Sequence, residues 1–165
     1  MKKQLVSLFL LVTAVLASCV EKSPEPGGEL RGSFIKRTEC NPARNKIETG
    51  KDQECISYYY EKGTLYLTHI NAGFNCCPGD FGVVKLSTDG SAIILDETKV
   101  TGDCHCLCLY DVDYKIENIS PAKYNFKAIG NVSIGNGKPL SGSIDLLNEK
   151  SGTFCVTRES YPWNM

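Results

Sequence analysis

Short apolar stretches separated by turn residues fill most of the chain after residue 55. Residues 56–60 and 64–70 are rich in Ile, Leu, Thr and Tyr, and Glu61-Lys62-Gly63 separates them. This composition is typical of two β-strands joined by a tight turn. After the first eighteen residues no window longer than ten residues keeps a helical period, so the pattern predicts an all-β domain.

Further hairpins are predicted where Asp or Asn precedes Gly. Asp89-Gly90 and Asn136-Gly137 are such pairs, and these dipeptides readily adopt the backbone angles of tight β-turns. The strands that flank these turns, together with the last predicted strand, are residues 81–86, 92–95, 132–134, 143–147 and 153–157.

The segment from Cys104 to Glu117 shows the clearest alternation in the chain. Every second residue from Cys104 to Ile116 is Cys, Tyr, Val or Ile, whereas the positions between them become charged from Asp111 onward. Because neighbouring side chains of a strand point to opposite faces, the first set is expected to face the core. Its fourteen residues are many for one strand, so we expect a bulge or bend near Leu109.

A short motif follows this predicted strand. Ile119-Ser120-Pro121-Ala122-Lys123-Tyr124 resembles the tyrosine corner of immunoglobulin-like and fibronectin-like sandwiches, where the chain crosses between two sheets. The resemblance implies that Tyr124 begins a core strand and that its hydroxyl donates to the backbone a few residues upstream. The predicted fold is a single antiparallel, immunoglobulin-like β-sandwich, with a small β-barrel as the alternative. The resemblance implies no activity, because sandwiches host many unrelated functions.

The N-terminus has the features of an export signal. Met1-Lys2-Lys3 is basic, and residues 5–17 form an almost continuous apolar run that is too short to span a membrane. Leu16-Ala17-Ser18-Cys19 resembles the lipobox of bacterial lipoproteins. The resemblance implies that signal peptidase II cuts before Cys19, that its sulfur carries a diacylglyceryl group, and that its amine receives a further acyl chain such as palmitate.

We therefore divide the chain into a signal peptide (1–18), a lipidated flexible tether (19–33) and a β-sandwich domain (34–165). The tether contains Pro and Gly but almost no bulky apolar residue, so it cannot bury enough surface to become ordered. Several acyl chains would anchor the protein to a membrane of the bacterial envelope. Val20 follows Cys19 in place of the aspartate that resembles an inner-membrane retention signal, which favours the outer membrane.

The charge of the chain excludes one class of partner. Removal of Lys2 and Lys3 with the signal peptide leaves 16 basic residues against 19 acidic ones, a net charge of −3. Proteins that bind nucleic acid normally carry a basic surplus, so no nucleic-acid partner is expected. The 42% of hydrophobic residues fits a globular domain with a core.

Eight cysteines remain once Cys19 is set aside, and an even number in an exported chain predicts disulfides. Their connectivity stays open, although Cys40 and Cys55 could close a short loop. Residues two apart on one strand are poorly spaced for a bridge, so at least one of the three clustered cysteines is expected to pair with Cys76 or Cys77. The disulfide candidates are Cys40, Cys55, Cys76, Cys77, Cys104, Cys106, Cys108 and Cys155.

A thiolate metal site is the alternative for part of this set. Soft sulfur ligands suit zinc or Cu(I), and His105 lies among them. Against this alternative, cysteines that bind zinc usually have two to four residues between them on a turn, and on a strand His105 points away from its neighbours. The five sulfurs concerned are those of Cys76, Cys77, Cys104, Cys106 and Cys108.

Two sets of residues resemble known patterns without indicating an activity. Cys76-Cys77-Pro78 together with the Cys-x-Cys-x-Cys pattern at 104–108 is similar to a set of small envelope lipoproteins to which no activity is attached. Asp111-Val112-Asp113 resembles the metal-binding Asp-x-Asp of some transferases, but it is expected to lie on the solvated face of a strand.

Other candidate chemistry is sparse. His69 and His105 are the only histidines, and each is expected to be an ordinary strand residue. The sequence contains no nucleophile elbow, phosphate-binding loop or zinc-protease motif. We therefore predict a lipid-anchored binding or structural module of the cell envelope, with a protein or glycan ligand, no enzymatic activity and no cofactor. An envelope enzyme inhibitor that presents the loop 71–80 is a further alternative.

Overall fold

The computed structural model describes residues 29–40, 53–102, 104–130 and 138–158. The described ranges contain strands but no helix, and therefore no helix long and apolar enough to cross a membrane. The strands are β1 (Arg31–Arg37), β2 (Gln53–Glu61), β3 (Thr64–Asn75), β4 (Val83–Leu86), β5 (Ala92–Asp96), β6 (Leu107–Glu117), β7 (Lys123–Ile129), β8 (Ser141–Asp145) and β9 (Ser151–Thr157).

The strands form two sheets that enclose one core. The first sheet has five strands in the order β1-β6-β3-β2-β9, and the second has four in the order β4-β5-β7-β8. The predicted all-β sandwich is confirmed, and the two separate sheets exclude the closed barrel. One strand pair differs from the antiparallel expectation, since β5 and β7 run parallel. The reason is that the chain visits the other sheet as β6 between these two strands.

Strand β6 lies between β1 and β3 in the five-stranded sheet and keeps the alternation seen in the sequence. Its buried positions include Tyr110, Val112, Tyr114 and Ile116. The bulge expected near Leu109 is not in β6. The extra residues lie instead in its two neighbours, in β1 between Phe34 and Lys36 and in β3 between His69 and Ala72. Both neighbours of β6 thus bend at their bulges, whereas β6 itself stays regular.

Local signals place the turns and the corner correctly. Lys62 and Gly63 both have positive φ in the β2–β3 turn, and Gly90 has a φ of 70° in the β4–β5 turn. Tyr124 is buried near the start of β7, and its hydroxyl donates to the carbonyl of Ser120 at 2.8 Å. The predicted tyrosine corner is therefore confirmed in its geometry.

The N-terminal boundary of the domain differs slightly from the expectation. Strand β1 begins at Arg31, so the last three residues of the predicted tether belong to the sandwich. Gly32 fits there because a Cβ at this position would collide with the backbone carbonyl of Val84. The signal peptide, residues 19–28 of the tether, and the predicted strand 132–134 with its turn at 136–137 lie outside the described residues.

Candidate functional site

All eight cysteines of the domain are paired in four disulfides. Two of them, Cys76–Cys106 and Cys77–Cys104, join the segment after β3 to the segment before β6. The prediction that the two cysteine clusters are bridged to each other is therefore correct. The remaining disulfides are Cys40–Cys108, which joins the end of the β1 segment to β6, and Cys55–Cys155, which joins β2 to β9.

Two details of the cysteine predictions are wrong. Cys40 and Cys55 do not close a loop together, because each lies opposite a different strand. Cys104 and Cys106 are exposed on a bend that precedes β6, so Cys108 is the only one of these three clustered cysteines that enters the core. The alternation misled here because the chain leaves the sheet before Leu107. The five sulfurs of the metal alternative are all bonded to other sulfurs, which leaves no thiolate for a metal.

A buried charge cluster lies between the two sheets, and His69 on β3 is its centre. Both ring nitrogens of His69 face carboxyl oxygens: Nδ1 lies 3.0 Å from Oε1 of Glu97, and Nε2 lies 2.8 Å from Oε1 of Glu54. Only the doubly protonated imidazolium can donate to both oxygens. Burial alone lowers the pKa of His69, but the two carboxylates raise it to about 10.

Glu54 on β2 connects this imidazolium to a second cation. Nε of Arg158 donates to Oε2 of Glu54 at 2.6 Å, and Nη2 donates to the same oxygen. Nη1 of Arg158 donates to the carbonyl of Lys138 at 2.6 Å. Burial raises the pKa of Glu54, but the hydrogen bonds and charges of His69 and Arg158 outweigh it and lower the pKa below its ordinary value.

Glu97 brings the second sheet into the cluster, because it follows β5 directly. Its Oε1 accepts the Tyr114 hydroxyl at 2.8 Å as well as the His69 N–H. Burial, and then the charge of Glu97, raises the pKa of Tyr114, so the phenol stays protonated and donates. Oε2 of Glu97 is buried and accepts no hydrogen bond from any described group.

The buried charge cluster holds the sheets together and is closed to any substrate. Glu54, His69 and Glu97 have no exposed surface, and Arg158 keeps 6% of its own. Two carboxylates face one imidazolium and one guanidinium, so the formal charges cancel. Removing one partner from such a cluster leaves an uncompensated buried charge. The arrangement therefore acts as a polar core, not as an accessible acid–base pair.

The sequence does not reveal this cluster, because its members are far apart along the chain. Glu54, Glu97 and Arg158 each flank or begin an apolar strand and look like ordinary boundary residues. A weak signal exists at His69, which lies on the same alternating face as Leu65 and Leu67. A histidine in such a position requires a buried partner for each ring nitrogen.

Among the described residues, the most exposed aromatic pair lies on the outer face of the five-stranded sheet. Tyr59 on β2 and Tyr66 on β3 are directly opposite each other in the register. Their ring centroids are 6.4 Å apart with an interplanar angle of 23°, and the two residues keep 47% and 41% of their surface exposed. The same row of the sheet continues to Ser151 on β9 and to Lys115 on β6. We call this surface the tyrosine face.

Charged groups on the tyrosine face are paired with each other. Lys115 lies 2.8 Å from Glu117, and Lys36 lies 3.7 Å from Asp113. Asp113 also accepts the Thr68 hydroxyl at 2.7 Å. The prediction that Asp111-Val112-Asp113 lies on the charged face of a strand is thus correct. Besides these ion pairs, the face offers aromatic and hydroxyl groups.

The other residues singled out in the sequence lie apart from both features. His105 is exposed on the disulfide-linked bend that precedes β6, so the prediction that it is a strand residue is wrong. Half of the segment 71–80 is not a loop, since β3 extends to Asn75. Two disulfides then fix Cys76 and Cys77, which leaves only a few residues for an inhibitory loop.

Comparisons with known proteins add no family to this description. No protein-family model matches the chain, and no curated protein or solved structure is significantly similar to it. Within the described ranges, no three or more His, Cys, Asp or Glu side chains are grouped so that they could hold a metal ion. The case for a function therefore depends on the residues of this chain alone.

Proposed function

We propose that this protein is a lipid-anchored binding module of the bacterial cell envelope, and that the tyrosine face contacts the ligand. The observation that carries the proposal is the exposed, nearly parallel pair of Tyr59 and Tyr66. Tyrosine combines a flat apolar ring with a polar hydroxyl and loses little entropy on binding, which makes it common in recognition surfaces.

The ligand that this face suits best is a chain of neutral sugars. A charged ligand would have to compete with ion pairs already formed at Lys115 and Lys36. Neutral sugars instead pack their C–H groups against aromatic rings and exchange hydrogen bonds with hydroxyls such as those of Ser57 and Thr153. The strand register holds these groups in two adjacent rows.

Binding to polysaccharides tests the ligand class. The mature protein should bind at least one neutral polysaccharide of a panel, and Tyr59→Ala or Tyr66→Ala should weaken this binding by about tenfold or more. Val83→Ala is the matched control, because Val83 is an equally exposed apolar residue on the outer side of the other sheet. If the protein binds no polysaccharide but captures an envelope protein, and the tyrosine substitutions abolish this capture, the ligand is a protein and not a glycan.

Anchoring is tested separately from ligand binding. The lipobox supports a thioether-linked lipid at Cys19, so Cys19→Ala should abolish incorporation of labelled fatty acid and release the protein from the membrane fraction. Cys155→Ala is the control, since it removes a cysteine of the domain and leaves the lipobox intact. A Cys19→Ala protein that still carries lipid would overturn the anchoring proposal.

A further inference from the structure

Strand β9 forms one edge of the five-stranded sheet, and its backbone has an unpaired side. The hydrogen-bonded pairs between β2 and β9 include Tyr60 and Lys150, whose N···O distance is 2.7 Å. The odd-numbered residues of the two strands therefore face each other in non-hydrogen-bonded pairs. The short Cα–Cα distance of 4.0 Å between Cys55 and Cys155 agrees with this assignment. It follows that the N–H and C=O groups of Ser151, Thr153, Cys155 and Thr157 point away from β2.

The structure also shows backbone hydrogen bonds between described residues that lie outside the paired strands. None of these bonds involves the outward-pointing groups of β9. They lie in an unbroken row, because the register between β2 and β9 shows no shift along its whole length. The Cys55–Cys155 disulfide fixes β9 covalently to its neighbour. Among the residues that the structure describes, none pairs with this side of β9, so the β9 edge is a regular row of donors and acceptors without a described partner.

The other three sheet edges carry features that hinder pairing with a further strand. Strand β1 contains Arg31, Lys36 and Arg37 and is interrupted by a bulge. Strand β4 has only four residues and includes Lys85, and β8 has five and ends at Asp145. Charges, bulges and short length are the usual protections of sheet edges. Strand β9, with the sequence SGTFCVT, has seven residues without a charge, a proline or a bulge.

We propose that two copies of this protein associate through antiparallel pairing of their β9 strands. A two-fold axis at Phe154 pairs residue 151 with 157 and residue 153 with 155 of the second copy. This register uses every outward-facing residue and forms about eight backbone hydrogen bonds. An uncharged strand meets an identical strand without repulsion between like charges, and the two-fold contact closes on itself as a dimer.

Side chains support the same register on the core side of the sheet. Phe154 is only half-buried, and its ring centroid lies 5.3 Å from that of Phe126. At the two-fold axis the two copies of Phe154 lie opposite each other in a non-hydrogen-bonded pair, where side chains approach most closely. Half-buried Val156 lies opposite Gly152 of the second copy, which leaves room for it. Pairing therefore covers apolar surface that one copy leaves in water.

Sedimentation of the mature protein over a concentration series tests the dimer. The unaltered protein should show a reversible monomer–dimer equilibrium, and Thr153→Pro should raise the dissociation constant by about tenfold or more. Proline at 153 removes an outward N–H and no hydrogen bond to β2, so the fold should persist. Ser143→Pro is the matched control: β7 and β8 bond through even-numbered residues, so Ser143 also points outward, but on β8.

Amide hydrogen exchange provides a second readout that does not depend on the proline variant. The amides of Thr153 and Cys155 should become protected as the concentration rises, whereas they should exchange rapidly at high dilution. Thr153→Lys should also weaken the dimer, because it places a charge on the edge without changing the backbone. A protein that stays monomeric at every concentration overturns the proposal, as does a dimer that Thr153→Pro and Thr153→Lys leave unchanged.

Discussion

His69 forms a charged contact between the two sheets. It comes from the five-stranded sheet, whereas Glu97 follows a strand of the four-stranded sheet. The imidazolium therefore forms a charged hydrogen bond across the core, in addition to its bond with Glu54 in its own sheet. Charge-assisted bonds of this kind are roughly twice as strong as neutral ones, and burial makes their loss costly.

Substitution of His69 by leucine should destabilise the domain by about 3–5 kcal/mol, because Glu97 loses its cation and Glu54 loses one of two. Urea unfolding measures the change. His105→Leu is the matched control, since this histidine is exposed, and it should shift the free energy of unfolding by less than about 0.5 kcal/mol. Equal effects of the two substitutions would mean that His69 has no charged partners in solution.

Tyr124 contributes a single hydrogen bond at the corner. Tyr124→Phe keeps the ring and removes the bond to the Ser120 carbonyl, so unfolding should become easier by about 0.5–1.5 kcal/mol. Tyr66→Phe is the control, because the Tyr66 ring is exposed and lies on the outer face. A denaturation midpoint that Tyr124→Phe leaves unchanged would argue against a stabilising corner.

Individual strands and turns follow from the sequence better than their pairing does. Alternation identifies β6, and the Lys62-Gly63 and Asp89-Gly90 turns identify two hairpins, because these signals involve neighbouring residues. The bulges opposite β6 are not predictable in this way. They depend on Ile35 and Asn71 in strands that meet β6 only after folding, and Asn71 adopts a φ of 58°.

The tyrosine face depends on residues that are close in the sequence, whereas the buried charge cluster depends on residues that are far apart. Tyr59 and Tyr66 lie on either side of one predicted hairpin, so their pairing could be derived from the turn. Glu97 and Arg158 approach His69 only when both sheets are complete. Disulfide connectivity has the same long range, which is why only the bridging between the two cysteine clusters could be predicted.

The Cys55–Cys155 disulfide between β2 and β9 should stabilise the domain more than the Cys77–Cys104 disulfide does. Replacing both Cys55 and Cys155 by alanine should cost about 2–5 kcal/mol. Replacing Cys77 and Cys104 should cost less, because this pair closes a segment with a sequence separation of 27, against 100 for the first pair. Urea unfolding of both double variants measures the order, and the reverse order would contradict it.

Thiol counting tests the disulfides themselves. Alkylation of the denatured, unreduced mature protein should label none of the eight domain cysteines, because all are paired. The same experiment after reduction gives the control count. Four or more labelled cysteines together with bound zinc or copper would instead favour the thiolate site.

The whole domain should be most stable in mildly acidic solution. The folded pKa of His69 is about 10 and its ordinary value 6.5, so above about pH 6.5 the folded state keeps a proton that the unfolded state releases. The stability from His69 is therefore complete below that pH and is lost as the pH rises towards 10. On the acid side, the lowered pKa of Glu54 makes stability fall as the pH drops below its ordinary value of 4.5.

Urea unfolding at about pH 6 and about pH 9 measures this dependence. The free energy of unfolding should decrease by several kcal/mol between the two conditions in the unaltered protein. In His69→Gln the decrease should largely vanish, because glutamine does not titrate. A decline of the same size in both proteins would assign the effect to other groups.

The position of β9 beside β2 also determines when the domain can be completed as the exported chain emerges from the membrane. A chain that emerges with its N-terminus first presents β2 and β3 long before β9, yet β2 lacks its second neighbour until then. Arg158 arrives at the same late stage, so Glu54 also waits for its guanidinium. An unfinished chain would expose the edge of β2, a surface prone to aggregation. Truncated chains that end before Ser151 should accordingly remain sensitive to protease, and protease resistance should appear only in chains that include β9 and Arg158.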